Sequence, residues 1–415
     1  MGKEKSIKIH DNFIHEAEYL SRGAEVLPGG VIELARKLKK SADTDKPLRV
    51  KLGLDPTRPD LHLGHSVVLR KLKHFQNAGH KIVLIIGGAT AMIGDPSGKS
   101  ETRPPLTREE VEENAKTYLD QVGKIIDVSK AEIVNNADWL HKMQLADLLQ
   151  LASKVTVAQM LVRDDFSKRY NEGKPISVHE LFYPLMQAYD SVAIDADIEL
   201  GGTDQRFNTL LGREIQQAYG REDPQMVMLL PILEGTDGVV KMSKTYPEHC
   251  ISMTDSPQEM YGKIMSIPDN LIIRYFELLT DLPQEEIDNH REQLKMSYVN
   301  PRDYKMKLAK TIITDYYPKE EAFRAEREFI NIFRNKGVPE EMPEYPVAEG
   351  TCLVDFLAEK ELTSSKGEAR RLIQGGGIKI DSEKVTDTNL KIMFNGKESL
   401  VLQAGKRKFA KLIKL

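Results

Sequence analysis

"PLRVKLGLDPTRPDLHLGHSVVLRKLKHFQNAGHKIVLIIGG", residues 47–88, decides the fold. It opens on a short strand-like run, "PLRVKLGLD", which ends in a turn at Asp55, Pro56 and Thr57. "LGHSVVLRKLKHFQNAGH" then spaces its apolar residues as a helix does, and Gly79 stands just past the end, where glycine commonly stops a helix. "KIVLIIGG" is a continuous β-branched run, the pattern of a strand buried on both faces. Strand, turn, helix and strand within about 40 residues make a βαβ unit. The chain is therefore expected to open as an α/β, Rossmann-like parallel sheet, which takes ligands beyond the carboxyl ends of its strands. The same stretch sets His62, Gly64 and His65 in an otherwise apolar run. Alone, they fit an ordinary helix start or two ligands of a metal site. A metal needs more ligands than two histidines, and no nearby cluster supplies them.

Outward from this unit, residues 1–45 read as a helical lead-in broken at "LPGG". "TREEVEENAKTYLDQVGKII" reads as a helix that starts with a capping box, Thr107 with Glu110. "KAEIVNNADWL" supplies another strand. From about 250 to 345 the pattern turns helical and polar. Residues 336–350, with Pro339, Pro343 and Pro346, read as a linker. The expected division is a catalytic α/β domain over 1–245, a helical domain over 246–335, that linker, and a small α+β module over 351–415.

Composition limits the function. With 415 residues, 40% hydrophobic and 29% charged, the chain can bury a sizeable core. No apolar run approaches the roughly 20 residues that span a bilayer, so no membrane partner is expected. Only Cys250 and Cys352 are present, which argues against a disulfide framework and for a reducing compartment, the cytoplasm. Residues 351–415 hold 13 Lys and Arg against 8 Asp and Glu, a net of +5, while the remainder holds 46 against 55, a net of −9. A basic terminal module on an acidic body points to a polyanionic partner at one end.

Two stretches suit phosphate. "IGDPSGKS", residues 93–100, follows a strand, but a P-loop needs glycine at position 93, which is Ile93, and Pro96 removes a backbone N–H from the cradle. What survives is Asp95 and Lys99 in a tight turn at a strand's carboxyl end. "KMSKT", residues 241–245, sets two lysines three apart with hydroxyls beside them in a Gly-containing context. Together, "HLGH" and "KMSKT" resemble the HIGH and KMSKS motifs of class I aminoacyl-tRNA synthetases. "GLDPTRPDLHLGH", "GGATAMIGDPSGK", "YPLMQAYD", "GGTDQRFN" and "KMSKT" occur in the order of the bacterial-type tyrosyl-tRNA synthetase family, and the resemblance covers nearly the whole chain.

That resemblance implies attack of the tyrosine carboxylate on the α-phosphorus of ATP, release of pyrophosphate, and transfer of tyrosine to its tRNA. The carboxylate is already a nucleophile, so the protein holds the reactants in line and neutralises growing charge on the phosphates. By resemblance His62, Thr57, Lys99, Arg103, Lys241, Lys244 and Thr245 serve the phosphates, and His65 lies near the ribose. Asp55 and Asp204 belong to the ATP site, and Gly64 lets a flat adenine lie against the backbone. In "FYPLMQAYD", Tyr183, Gln187 and Asp190 fall on one helix face, at offsets of four and three. The resemblance gives Tyr183, Gln187 and Asp95 to the substrate ammonium, and Asp190 to the phenolic hydroxyl. Thr90, Asn136 and Gln205 are further tyrosine-pocket residues. One departure stands out: where many members carry a tyrosine near the end of the first strand, this chain has Lys51, so either another residue replaces that contact or Asp190 acts alone. Magnesium is expected to accompany ATP, with no protein-bound metal.

"SSKGEARRLIQGGGIKID" reads as a capped helix, a glycine turn and a strand. It resembles a small RNA-binding module, with Lys366, Arg370, Arg371, Lys406, Arg407 and Lys408 as phosphate contacts. Family members are homodimers, which implies a homodimer here. Two alternatives stand beside this reading: a tryptophan-specific relative, and a non-catalytic RNA-binding protein on the same scaffold.

Overall fold

The computed structural model describes residues 11–57, 59–96, 106–243, 246–333, 342–405 and 408–415. The chain divides into two compact units, one of residues up to Ser256 with Lys263–Pro318, the other of Pro257–Gly262 with Lys319–Leu415.

The first unit is built on a six-stranded sheet of β1 (Glu25–Leu27), β2 (Arg49–Leu54), β3 (Lys81–Ile86), β4 (Glu132–Asn135), β5 (Ile198–Gly202) and β6 (Met226–Leu230), in the order β1-β6-β5-β2-β3-β4. All neighbours are parallel except β1, which runs antiparallel to β6. The βαβ unit is as the sequence predicts. Helix α3 (Leu63–Asn77) joins β2 to β3, and Gly79 adopts a left-handed φ of 87° beyond its end. Strand β3 is buried on both faces: Ile82 and Leu84 join the larger core with Leu69, Leu72 and Phe75 of α3, while Val83 and Ile85 pack with Ile194 and Ala196.

The lead-in differs from its all-helical reading. Helices α1 (Asp11–Ser21) and α2 (Gly30–Thr44) flank β1, whose three residues are too few to show a period. Only their pairing with Val227–Leu229 makes them a strand. Helix α4 (Arg108–Val122) carries the predicted capping box: Thr107 accepts the Glu110 N–H at 3.2 Å, and Glu110 accepts the Thr107 N–H at 2.8 Å. Helices α5 (Phe182–Ala193) and α6 (Arg206–Ala218) flank β5 in sequence and pack against each other. The helical region beyond residue 250 is anchored to α3 through buried Arg70, which pairs with Asp281 at 2.7 Å and with Asp315.

The second unit holds a five-stranded sheet of β7 (Glu344–Val347), β8 (Ile378–Ile380), β9 (Glu383–Val385), β10 (Ser399–Ala404) and β11 (Lys408–Lys414), in the order β7-β11-β10-β8-β9. Strand β7 lies inside the stretch read as linker. It pairs parallel to Lys411–Lys414 at the sheet edge, where Pro346 costs no interior ladder bond. Helix α7 (Lys366–Gln374) is capped by Ser365, whose hydroxyl accepts the Glu368 N–H at 3.2 Å. Both cysteines are free. Among the described residues no helix is long and apolar enough to cross a membrane, and no cluster of His, Cys, Asp and Glu could hold a metal ion.

Candidate active site

The site begins where two strands part. Strands β2 and β5 pair only at Val50–Ile198 and Lys51–Glu199. This is the sheet's switch point, with β3 and β4 wound to one side and β6 to the other, and such a fork is where open α/β sheets bind ligands. A cleft of about 930 Å³ opens there. The carboxyl ends of β2 and β5, the start of α3, one face of α5 and residues 231–233 and 240–243 line it.

His62 is the N-cap of α3, and the histidine pair forms its capping box. His62 Nδ1 accepts the Gly64 N–H at 3.1 Å, His65 Nδ1 accepts the His62 N–H at 3.2 Å, and the ring centroids lie 4.0 Å apart. With Nδ1 accepting, each neutral ring carries its proton on Nε2, a donor. Gly64 is required by this cap, since a Cβ there would stand 2.9 Å from the His62 ring. The helix-start reading is what the structure shows, and the same arrangement suits an anion, since a helix N-terminus favours negative charge and these rings finish it.

The second motif is stitched to the first. Leu63 N–H donates to the Ile251 carbonyl at 3.0 Å, and Met253 N–H to the Leu61 carbonyl at 2.9 Å. The main chain just after "KMSKT" thus runs along the start of α3. Lys241 pairs with Asp204 of the turn after β5, and Thr57 lines the same cleft. Lys99, Arg103, Lys244 and Thr245 lie outside the described residues.

At the other end the predicted tyrosine-pocket residues fall into two hydrogen-bonded groups, one around Asp55 and Asn136 and one around Asn208. Asn136 donates to the Thr90 hydroxyl at 3.0 Å and to Asp190 at 3.2 Å. Tyr183, Gln187 and Asp190 of α5 all line the cleft, as their spacing predicts. Asp55, assigned by resemblance to the ATP site, turns its carboxylate toward this end: Thr90 donates to it at 2.7 Å and Tyr183 at 2.9 Å. Gln205 donates to Asp95 at 2.7 Å, and Asn208 donates to Gln187 at 3.0 Å and to Gln205 at 2.9 Å. Burial raises the Tyr183 phenol well above its ordinary value, and the carboxylates of Asp55 and Asp95 push it further. Burial also drives the Asp190 carboxyl up to about 7, against the opposing charge of Lys51 and hydrogen bonds from Trp139 and Asn136.

Four participants escape the sequence reading. Trp139, the single tryptophan, donates its indole N–H to Asp190 at 2.9 Å. Arg163 bonds Asn208 at 3.1 Å and lies 3.4 Å from Asp95. Asn208 bridges Gln187 to Gln205. Glu199 is buried at the foot of the cleft beside Lys51. A charged residue inside the apolar strand "IELGG" is the one signal that could have marked Glu199.

In the second unit Arg370 and Arg371 are exposed on α7. Lys366 also lies there, 2.9 Å from Asp355. Lys408 donates to the carbonyls of Glu361 at 2.9 Å and Leu362 at 3.1 Å, so its ammonium already serves the fold. Lys406 and Arg407 lie outside the described residues.

A switch-point cleft joined to a capped histidine pair and a lysine-bearing loop defines a class I aminoacyl-tRNA synthetase. Residues 43–334 match the family described as "tRNA synthetases class I (W and Y)", and residues 335–412 match "Tyrosine--tRNA ligase SYY-like C-terminal domain". The tyrosine–tRNA ligase of Carboxydothermus hydrogenoformans is 54% identical over 410 residues, covering 97% of this chain and 98% of that protein. That of Thermotoga maritima is 53% identical over 380 residues, covering 92% and 93%. A crystal structure of tyrosyl-tRNA synthetase from Archaeoglobus fulgidus, complexed with L-tyrosine, aligns with a TM-score of 0.60 at 25% identity, covering 75% of this chain and 99% of that one. The chain belongs to the bacterial-type tyrosine–tRNA ligase family, and its activity is that of an aminoacyl-tRNA synthetase that uses ATP to join tyrosine to tRNA.

Proposed function

We propose that the cleft activates tyrosine, with the phosphates of ATP at the α3 end and the tyrosine side chain at the Asp190 end. The observation that carries this reading is the continuity of one cleft from His62 and Lys241 to Asp190. In this assignment the substrate phenol donates to Asp190, and the substrate ammonium meets Asp95, Tyr183 and Gln187. His62 and Thr57 take the distal phosphates, Gly64 and His65 the nucleoside, and Asp204 the ribose. The tyrosine carboxylate attacks the α-phosphorus, the bond to the bridging oxygen breaks, and pyrophosphate leaves with the electron pair. No side chain need remove a proton. Catalysis is in-line positioning together with positive charge brought to the leaving group, for which Lys241 supplies one group and Lys99, Arg103, Lys244 and Thr245 supply the family-matched others. Magnesium travels with ATP.

In the same proposal Arg370 and Arg371, with Lys366, Lys406 and Arg407, contact tRNA phosphates, and Lys408, held on the Glu361 and Leu362 carbonyls, adds its charge and its remaining N–H. Exposed Leu145, Leu149, Val157 and Val162, crowded into one short stretch, supply an apolar surface for a homodimer. Two free cysteines fit a cytoplasmic setting.

The test is amino-acid-dependent exchange of pyrophosphate into ATP, without tRNA, across all twenty amino acids. Exchange with tyrosine alone is expected. Exchange with tryptophan instead would overturn the pocket assignment, and a folded protein with no exchange would overturn the activation reading.

A further inference from the structure

The foot of the cleft holds a buried ion pair that the activation chemistry does not use. Lys51 and Glu199 are register partners on β2 and β5, at the last position before those strands part. Their side chains are 0% and 2% exposed, with Nζ and Oε1 2.9 Å apart. Lys51 also donates to the Gln187 carbonyl at 3.0 Å and the Ser191 hydroxyl at 2.8 Å, so its ammonium reaches the helix that carries Asp190. Glu199 accepts from Ser191 at 3.1 Å, from Gln187 at 3.3 Å, and from Gln225. A buried ion pair seldom stabilises a fold more than apolar side chains of similar volume would, which directs attention to its effect on the pocket.

We propose that the Lys51–Glu199 pair sets amino-acid selection: Lys51 is a positioning residue that holds Asp190 as a carboxylate at the end of the pocket, and Glu199 holds Lys51 in place. This rests on the reading of Asp190 as acceptor of the substrate phenol. The charged groups acting on Asp190 are Lys51 from β2 and Glu199 from β5, and the polar ones are Trp139 and Asn136 from the segment after β4. Burial pushes the Asp190 carboxyl up to about 7, Lys51 opposes this most strongly, and Glu199 adds a smaller push upward. A group titrating near neutrality is governed by small changes in its neighbours. As a carboxylate, Asp190 accepts the tyrosine hydroxyl beside the bonds from Trp139 and Asn136, and phenylalanine leaves this buried charge one hydrogen bond short, at a cost. As a neutral acid it loses much of that distinction.

The two partners have opposite signs, and this makes the proposal testable. Removing the Lys51 charge raises the pH at which Asp190 ionises, whereas Glu199→Gln keeps an amide oxygen to accept from Lys51 and hold it in place, so it removes only the opposing charge and lowers that pH. Pyrophosphate exchange with tyrosine and with phenylalanine is measured from about pH 6 to about pH 8.5 for the full-length wild type, Lys51→Met, Glu199→Gln and Asp190→Asn. In the wild type KM for tyrosine should rise as pH falls through about 7. In Lys51→Met the midpoint should move up by roughly one unit. The ionised fraction at neutrality then drops from about a half to about a tenth, and KM for tyrosine rises about fivefold. This loss should largely disappear at the alkaline end, which a packing defect would not do. Glu199→Gln should move the midpoint down. An unmoved midpoint, shifts of the same sign in both variants, or a loss that alkaline pH does not restore would overturn the proposal. Should Lys51→Met not fold, the downward shift in Glu199→Gln decides alone: its presence supports the proposal and its absence overturns it. The underlying reading fails separately, if Asp190→Asn still separates tyrosine from phenylalanine as the wild type does.

Discussion

Gly87→Ala tests whether the Asp55 hub organises the proposed tyrosine end of the cleft. Gly87 lies just beyond β3, and a Cβ there would stand 1.9 Å from Asp55 Oδ1 and 2.5 Å from Thr90 Oγ1. An ordinary contact is about 3.5 Å, so the carboxylate must withdraw by more than an ångström. It cannot do so while accepting from Thr90 at 2.7 Å and from Tyr183 at 2.9 Å. Hydrogen bonds to a charged group contribute about 1.5–3 kcal/mol each. Loss of both, less what rehydration returns, is about 3 kcal/mol; to the extent that tyrosine binding must re-form the pocket this cost passes into affinity, up to roughly 100-fold. Gly87 has no left-handed φ, so alanine imposes no backbone strain and the side-chain clash is the cause. Exchange kinetics should show KM for tyrosine raised by up to that factor, with KM for ATP far less affected and a thermal melt confirming a folded protein. A folded Gly87→Ala enzyme whose KM for tyrosine stays within about threefold of wild type would refute the hub.

Asp190→Asn should cut the preference for tyrosine over phenylalanine by roughly 100-fold or more, since sites built around a substrate hydroxyl owe their discrimination to the buried acceptor; the ratio of kcat/KM values in exchange measures it. Arg370→Ala with Arg371→Ala should weaken tRNA binding and flatten the plot of log affinity against log salt by roughly 1.5 to 2, while tRNA-independent exchange is unchanged; a filter-binding salt series reads both. Leu149→Glu, on an apolar side chain 61% exposed, should shift the sedimentation coefficient from dimer to monomer at micromolar protein.

The elements legible in the sequence are those whose signals are local. β3 is a continuous apolar run, α3 and α4 carry their own caps, and the 183–187–190 spacing is helix geometry. β1 and β7 were not legible as strands. Three residues of "EVL" hold no period, and "EYPV" contains a proline; each becomes a strand through a partner from elsewhere, Val227–Leu229 in one case and Lys411–Lys414 in the other. The site divides the same way. Histidines three apart and a pentapeptide with two lysines announce themselves, whereas Arg163 with Asp95, Trp139 with Asp190, and Lys51 with Glu199 meet only because distant elements pack together. Lys51 could be seen as a departure from the family pattern, but its partner could not.

The placement of the perturbed groups follows from the chemistry in the proposed assignment. Strongly shifted groups commonly mark acids, bases and nucleophiles. Here the nucleophile is a substrate carboxylate, already ionised, and nothing at the phosphate end needs to be poised near neutrality. The buried, shifted groups, Asp190 and Tyr183, stand instead where the amino acid is recognised. At the phosphate end Lys241 is half-exposed and paired with Asp204, a partner that phosphate can replace without leaving a buried charge unpaired. Desolvation is thus concentrated where one hydroxyl must be distinguished from none, and solvation is kept where a triphosphate must enter and pyrophosphate must leave. It follows that a change of pH across the titration of Asp190 should act on KM for tyrosine and on selectivity more than on the chemical step. A pH profile confined to kcat would contradict that division of labour.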